Sequence, residues 1–306
     1  MNKLDKLLKL KKEKNAIILA HYYQDPNIQD VADYMGDSLA LAQYAQKTDA
    51  DVILFCGVHF MSETAKILNP SKTVLIPDLE AGCSLADSAQ TQEFSDWVKA
   101  HNNATVISYI NCSAEVKAMS DIICTSSNAE KIINSIPKNQ PILFAPDKFL
   151  GAYLRKKTGR ELILWNGYCQ VHAIFSLKDL IKLKVRHPKA ETIAHPECEE
   201  NLLEHADFIG STTTLIKYTQ KSKANEFIVV TEPGVIHQME KLNSNKNYIP
   251  LGNTEGCACN ECPHMRLNTL DKMIKALETL SPEIILKDTI IARATPPLIK
   301  MLELST

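Results

Sequence analysis

Short apolar runs alternate with amphipathic stretches along most of the chain. AIILA (16–20), DVILFC (51–56), TVLIP (73–77), TVIS (105–108), PILFA (141–145), ELILW (161–165), ETIA (191–194), EFIVV (226–230) and YIPL (248–251) read as buried strands. Between them, stretches such as LALAQYAQK, FMSETAKIL, KFLGAYLRKK and SLKDLIKLKV carry apolar residues at helical spacing. Strands alternating with helices in this way predict parallel sheets. The first residues, MNKLDKLLKLKKEKN, predict a basic amphipathic helix packed on the body and lack the apolar core of a signal peptide.

The pattern recurs. HYYQDPNIQDVADYMGDS (21–38), YINCSAEVKAMSDIICTS (109–126) and HPECEENLLEHADFIGST (195–212) each follow a strand, carry an internal Asp (Asp33, Asp121, Asp207) and close on a hydroxyl residue 17 positions on (Ser38, Ser126, Thr212). Self-similarity of this kind predicts a repeat architecture. The expectation is an α/β fold of three α/β/α, parallel-sheet domains, 1–102, 103–188 and 189–306, related by a pseudo-threefold about a central active site. Within it, Asp25-Pro26 should start a short helix, and Ser127 with Glu130 should form a capping box. The tail 282–306 lies outside the repeat and should pack on the first unit, with Pro296-Pro297 limiting any helix.

Composition narrows the function. At 306 residues and a net charge of −2, the chain gives no electrostatic reason to bind nucleic acid. Its apolar runs fall far short of the roughly 20 residues of a spanning helix. Nine cysteines, an odd number scattered through apolar stretches, fit reduced thiols in the cytoplasm better than a disulfide framework. No dinucleotide or Walker loop occurs among the glycines.

Ligands of parallel sheets bind beyond the carboxyl ends of the strands. Those ends carry His21 and Tyr23, Tyr109 and Asn111, His195 and Glu197. Ser38, Ser126 and Thr212 read as helix N-termini that would favour anionic groups; the competing reading makes them caps only. Cys83 and Cys169 follow the last strand of their copies, 62 and 60 residues after His21 and Tyr109; Cys257, Cys259 and Cys262 follow His195 by 62, 64 and 67. One thiolate from each copy would give three ligands to a single centre, either zinc completed by water or a [4Fe–4S] cluster with one open iron. Alternatively, Cys257–Cys262 forms a local zinc or redox loop and the other cysteines are core. His172 either lines the cavity or is a core histidine. His59, His205 and His237 read as structural or surface residues on helices, and Cys112, Cys124 and Cys198 have no assigned role.

Taken together, ILAHYYQDPNIQDVADYMGDS, AGCSLAD, YINCSAEVKAMSDIICTSSN, APDKFLGAY, NGYCQVH, AHPEC, ADFIGST, TEPGVIH and C-x-x-C-P-x-M-x-x-N-T-L resemble the quinolinate synthase family over essentially the whole chain. The resemblance implies a [4Fe–4S] cluster on Cys83, Cys169 and Cys262, the last chosen by its motif although spacing favours Cys257. It implies condensation of iminosuccinate (iminoaspartate) with dihydroxyacetone phosphate to quinolinate, phosphate and water, with the open iron as Lewis acid. Substrate contacts would come from His21, Ser38, Tyr109, Asn111, Ser126, His195, Glu197 and Thr212, with His172 nearby; Tyr23, Glu197 and His195 would be catalytic. A C-x-x-C of Cys259 and Cys262 could form a regulatory disulfide. Functional coupling to an L-aspartate oxidase or dehydrogenase is expected by analogy.

Overall fold

Most of the apolar runs form strands buried on both faces, as parallel sheets covered by helices require. The computed structural model describes residues 2–252 and 260–305. Among these residues, β1 (Ala16–His21), β2 (Tyr34–Gly36), β3 (Val52–Cys56) and β4 (Thr73–Leu75) form a sheet in the order β2-β1-β3-β4. A second sheet, β5 (Thr105–Tyr109), β6 (Ile122–Cys124), β7 (Ile142–Ala145) and β8 (Leu162–Leu164), has the order β6-β5-β7-β8. The third, β9 (Glu191–Ala194), β10 (Phe208–Ile209), β11 (Glu226–Val230) and β12 (Asn247–Pro250), runs β10-β9-β11-β12. All pairings are parallel, so the three sheets share one topology.

The repeated Asp has a structural job. The Asp33 carboxylate accepts the Ile18 N–H at 2.8 Å while its own N–H donates to the Ile18 carbonyl at 2.9 Å. Asp121 does the same with Val106, and Asp207 with Thr192. Each Asp thereby fixes how the second strand of its sheet enters beside the first.

The helix at the end of each copy packs on the sheet of the next. Phe94, from Thr91–Ala100, is buried with Val106 and Leu143 of the second sheet. Leu180, from Leu177–Arg186, is buried with Ala194 and Ile228 of the third. Met273 and Leu277, from Leu270–Thr279, close the circle on Ile18 and Leu54 of the first sheet. The N-terminal helix Lys3–Glu13 packs there too and buries Leu7. This cyclic exchange joins the copies without linkers.

The C-terminal tail meets the first unit, as expected, but goes on to the second. Ile284 N–H bonds the Val74 carbonyl at 2.8 Å, so the tail first touches the edge of the first sheet. A helix, Asp288–Glu303, then continues through Pro296 and Pro297 and packs on β6 and the short helix Ala114–Lys117 of the second unit. The prolines remove donors to the carbonyls of Ala292 and Arg293. Burial of Ala294, Leu298, Met301 and Leu302 along one face offsets that loss.

Candidate functional site

Strand direction brings the carboxyl ends of β1, β5 and β9 to one cleft of about 800 Å³, mouth included. Its walls include His21, Tyr23, Ser38 and Cys83 from the first copy. They include Tyr109, Asn111, Ser126, Cys169 and His172 from the second, and His195, Glu197, Thr212 and Cys262 from the third. Cys257 and Cys259 aside, the site residues singled out from the sequence therefore face the same space.

Two copies use one local device. The N–H of Tyr23 donates to His21 Nδ1 at 3.2 Å, and the N–H of Glu197 donates to His195 Nδ1 at 3.4 Å. Accepting such a bond requires a neutral ring with its proton on Nε2. Burial agrees, lowering the His21 pKa to about 4 and that of His195 to about 3, against the pull of Asp37 and Glu197. A histidine whose folded pKa lies below its unfolded value makes the unfolded chain bind more protons, so stability falls as pH drops. For His21 the window runs from about 6.5 to about 4 and the loss approaches about 3 kcal/mol at its lower end. Urea unfolding across that window should show a steeper decline for the native chain than for His21→Gln; parallel curves would refute a buried neutral His21.

The polar side chains form one continuous network. Tyr109 Oη donates to Glu197 Oε1 at 2.5 Å. The other Glu197 oxygen lies 3.0 Å from His172 Nδ1, and His172 Nε2 lies 2.9 Å from Thr231 Oγ1. Thr231 Oγ1 is in turn 2.9 Å from Tyr23 Oη, which is 3.0 Å from Thr212 Oγ1. A hydroxyl, an imidazole and a carboxylate in this order can pass a proton between the tyrosine and the carboxylate. Burial disfavours charge on Glu197, but its contact with His172 and the hydrogen bonds from His172 and Tyr109 outweigh it and hold the carboxyl down. Burial pushes both tyrosines well above the ordinary phenol value. His172 is thus a cavity residue. Thr231, fully buried, is a functional candidate that the sequence reading missed. It directly follows β11, as His21 closes β1, and that position at a strand's carboxyl end was the available signal.

Two of the three repeat-closing hydroxyls sit at helix N-termini as expected, and one does not. Ser38 and Thr212 are first residues of helices whose caps are Asp37 and Ser211. Ser126 precedes its helix, which begins at Ala129, and lies 3.3 Å from His195 Nε2. Ser127 forms no capping box. Its Oγ donates to Asp37 Oδ2 at 2.9 Å and lies 2.8 Å from Ser211 Oγ, so the three copies are knotted by one residue each. Tertiary partners outcompete the local cap here. Asp25 does stand at the N-cap of the helix Pro26–Gln29, as expected, but its carboxylate meets Arg266 at 3.3 Å and not the helix N–H groups. His205 lies in a turn just beyond the helix Glu200–Leu203. Ser127→Ala would leave the buried Asp37 carboxylate short of a donor. The expected loss is about 1–3 kcal/mol in urea unfolding, and a change within error would contradict the knot.

Cys83, Cys169 and Cys262 are free thiols, partly buried on the cleft wall. Cys257 and Cys259 lie outside the described residues. The Cys262 N–H donates to Glu232 at 3.3 Å. Glu232, fully buried, pairs with Arg266 at 2.8 Å and accepts the Gly234 N–H at 2.7 Å. A Cβ on Gly234 would sit 2.9 Å from Tyr23 Cα, so only glycine lets this turn approach the first copy. Burial pushes the Cys83 thiol to about 12 and Cys262 to about 11, and raises Cys169 strongly. One thiol from each of the three copies on a single wall supplies soft donors of the kind such a centre takes. The donor set therefore fits an iron–sulfur or other thiophilic centre. Asn111 Oδ1 is buried without a hydrogen-bond partner among the described residues. An orphan of this kind on a cleft wall suits a ligand that pairs with it.

The family described as Quinolinate synthetase A protein matches residues 5–303. The chain is 62% identical over 296 residues to the quinolinate synthase of Trichodesmium erythraeum, covering 97% of this chain and 92% of that protein. The corresponding figures are 61%, 97% and 93% for the quinolinate synthase of Synechocystis sp., and 60%, 97% and 90% for that of Cyanophora paradoxa.

Proposed function

The chain belongs to the quinolinate synthetase A protein family, and from that premise we propose that it is a quinolinate synthase. It condenses iminosuccinate with dihydroxyacetone phosphate and releases phosphate and water. The observation that carries this reading is the convergence of equivalent residues from three sheets, with one cysteine from each copy, on a single cleft.

Cys83, Cys169 and Cys262 would hold a [4Fe–4S] cluster. When bound through three thiolates, such a cluster offers one open iron as a Lewis acid. The remaining work falls to the chain's own side chains. The free backbone N–H groups at Ser38 and Thr212, with the Ser126 hydroxyl, suit carboxylate and phosphate oxygens. His21 and His195, neutral and carrying Nε2–H, donate without adding charge. Asn111 Oδ1 accepts a substrate N–H or O–H. Glu197 takes protons while Tyr109 and His172 hold it in place, and Tyr23 supplies or receives them through Thr231. Three copies closing on the cleft keep water from the reactive imine.

The imine must come from two-electron oxidation of L-aspartate, which an aspartate oxidase or dehydrogenase would supply. Among the described residues no helix is long and apolar enough to cross a membrane, which accords with a cytoplasmic enzyme. The test is an anaerobic assay of cluster-loaded protein with dihydroxyacetone phosphate and freshly generated iminosuccinate. Quinolinate and phosphate should appear in equal amounts; phosphate release without quinolinate would overturn the assignment.

A further inference from the structure

We propose that the chain, when it carries no cluster, has a second metal site: Cys169, His172 and Glu197 bind a single borderline divalent cation such as zinc, which blocks assembly of the centre proposed above. The donor atoms of these three residues all lie within 4.8 Å of one another. His172 Nδ1 is 3.3 Å from Cys169 Sγ and 3.0 Å from the Glu197 carboxylate. Around a tetrahedral zinc the corresponding edges are about 3.6 Å for N···S and about 3.3 Å for N···O. The two edges that meet at His172 are therefore within a few tenths of an ångström of coordinating geometry before any ion enters, and the third, between Cys169 and Glu197, is no longer than 4.8 Å.

Its outer partners are also in place. His172 Nε2 faces Thr231 Oγ1 at 2.9 Å, and the Tyr109 hydroxyl donates to Glu197 Oε1 at 2.5 Å. Such contacts orient imidazole and carboxylate ligands and raise metal affinity. On binding, His172 carries its one proton on Nε2, which donates to Thr231, and Nδ1 turns its lone pair to the metal. The Cys169 S–H bond breaks, its proton leaves to solvent, and sulfur keeps the electron pair. One thiolate and one carboxylate then neutralise the dication, so the buried site carries no net charge. The fourth position opens into the cleft, where Cys83 and Cys262 are left unused.

The binding claim rests on geometry alone; only the blocking claim rests on the cluster reading. Cobalt(II) serves as the probe, added anaerobically to the full-length, cluster-free chain. One cobalt per chain is expected, with a thiolate-to-cobalt charge-transfer band and tetrahedral visible bands. Cys83→Ala and Cys262→Ala should keep both bands. Cys169→Ser should abolish the charge-transfer band, and Glu197→Gln, which preserves side-chain shape, should weaken binding at least tenfold. Thr231→Val should weaken it about 10- to 100-fold. Loss of the bands in Cys83→Ala or Cys262→Ala, with unchanged binding in Glu197→Gln, would overturn the proposal in favour of a three-thiolate ion. Zinc added before iron and sulfide should lower iron uptake by the native chain, and a chelator should restore it. Zinc bound through Cys169 without any effect on iron uptake would refute the blocking claim and count against Cys169 as a cluster ligand, while leaving the zinc site standing.

Discussion

Glu197→Gln should lower kcat by about 10²- to 10⁴-fold, the usual span for loss of a positioned acid–base group. The substitution keeps the shape of a side chain that is only 3% exposed. It removes the group that can hold a proton between Tyr109 at 2.5 Å and His172 at 3.0 Å. The carboxamide must also turn an N–H₂ toward one of two groups that now donate. KM should change much less than kcat, because the carboxylate is engaged by protein partners more than by the substrate's anionic groups. If Glu197, His172 and Thr231 act as one unit, adding Thr231→Val to Glu197→Gln should cost little more activity than Glu197→Gln alone. Steady-state kinetics of the three variants checks this, and full turnover by Glu197→Gln would remove the acid–base assignment.

Cys262→Ala should abolish both iron retention and activity, whereas Cys257→Ala should keep both. The two cysteines answer to different signals. Spacing from His195 favours Cys257, and the local context C-P-H-M-x-x-N-T-L favours Cys262. Cys262 stands on the cleft wall with its N–H held by Glu232, whereas Cys257 lies outside the described residues. Because Glu232 also binds Arg266, which donates to the Tyr23 carbonyl at 2.5 Å, the loop bearing Cys262 and the turn bearing Tyr23 share one support. Iron per chain after anaerobic reconstitution decides between them, and iron loss in Cys257→Ala with retention in Cys262→Ala would reverse the choice.

Much of this architecture was readable in the residues. Strand cores such as VILFC are apolar on both faces, and parallel sheets are the arrangement that buries both. The three-copy register was readable because an Asp, a strand end and a hydroxyl recur at fixed separations. What these signals could not show is which sheet each helix covers. Phe94, Leu180 and Met273 announce an apolar face on their helices, but periodicity says nothing about the partner, and each faces the next sheet round the circle. The same limit applies to Ser127 and Asp25. Their sequence contexts are sound caps, yet contacts 90 and 241 residues away take their side chains instead. Thr231 escaped notice because a lone threonine after a strand carries no local mark; its role comes from His172 and Tyr23 arriving beside it from other copies. The tail helix continues through Pro296-Pro297, against expectation, because the buried face of Leu298, Met301 and Leu302 offsets the lost hydrogen bonds.

The central claim is that three copies of one α/β unit each send a cysteine to the same metal centre. An iron-edge anomalous difference map from anaerobically grown crystals tests this most directly. The account predicts one compact iron peak per chain, bounded by Cys83, Cys169 and Cys262 and facing Tyr109 and Asn111. Iron held by the 257–262 loop alone, with Cys83 and Cys169 remote from it, would contradict it.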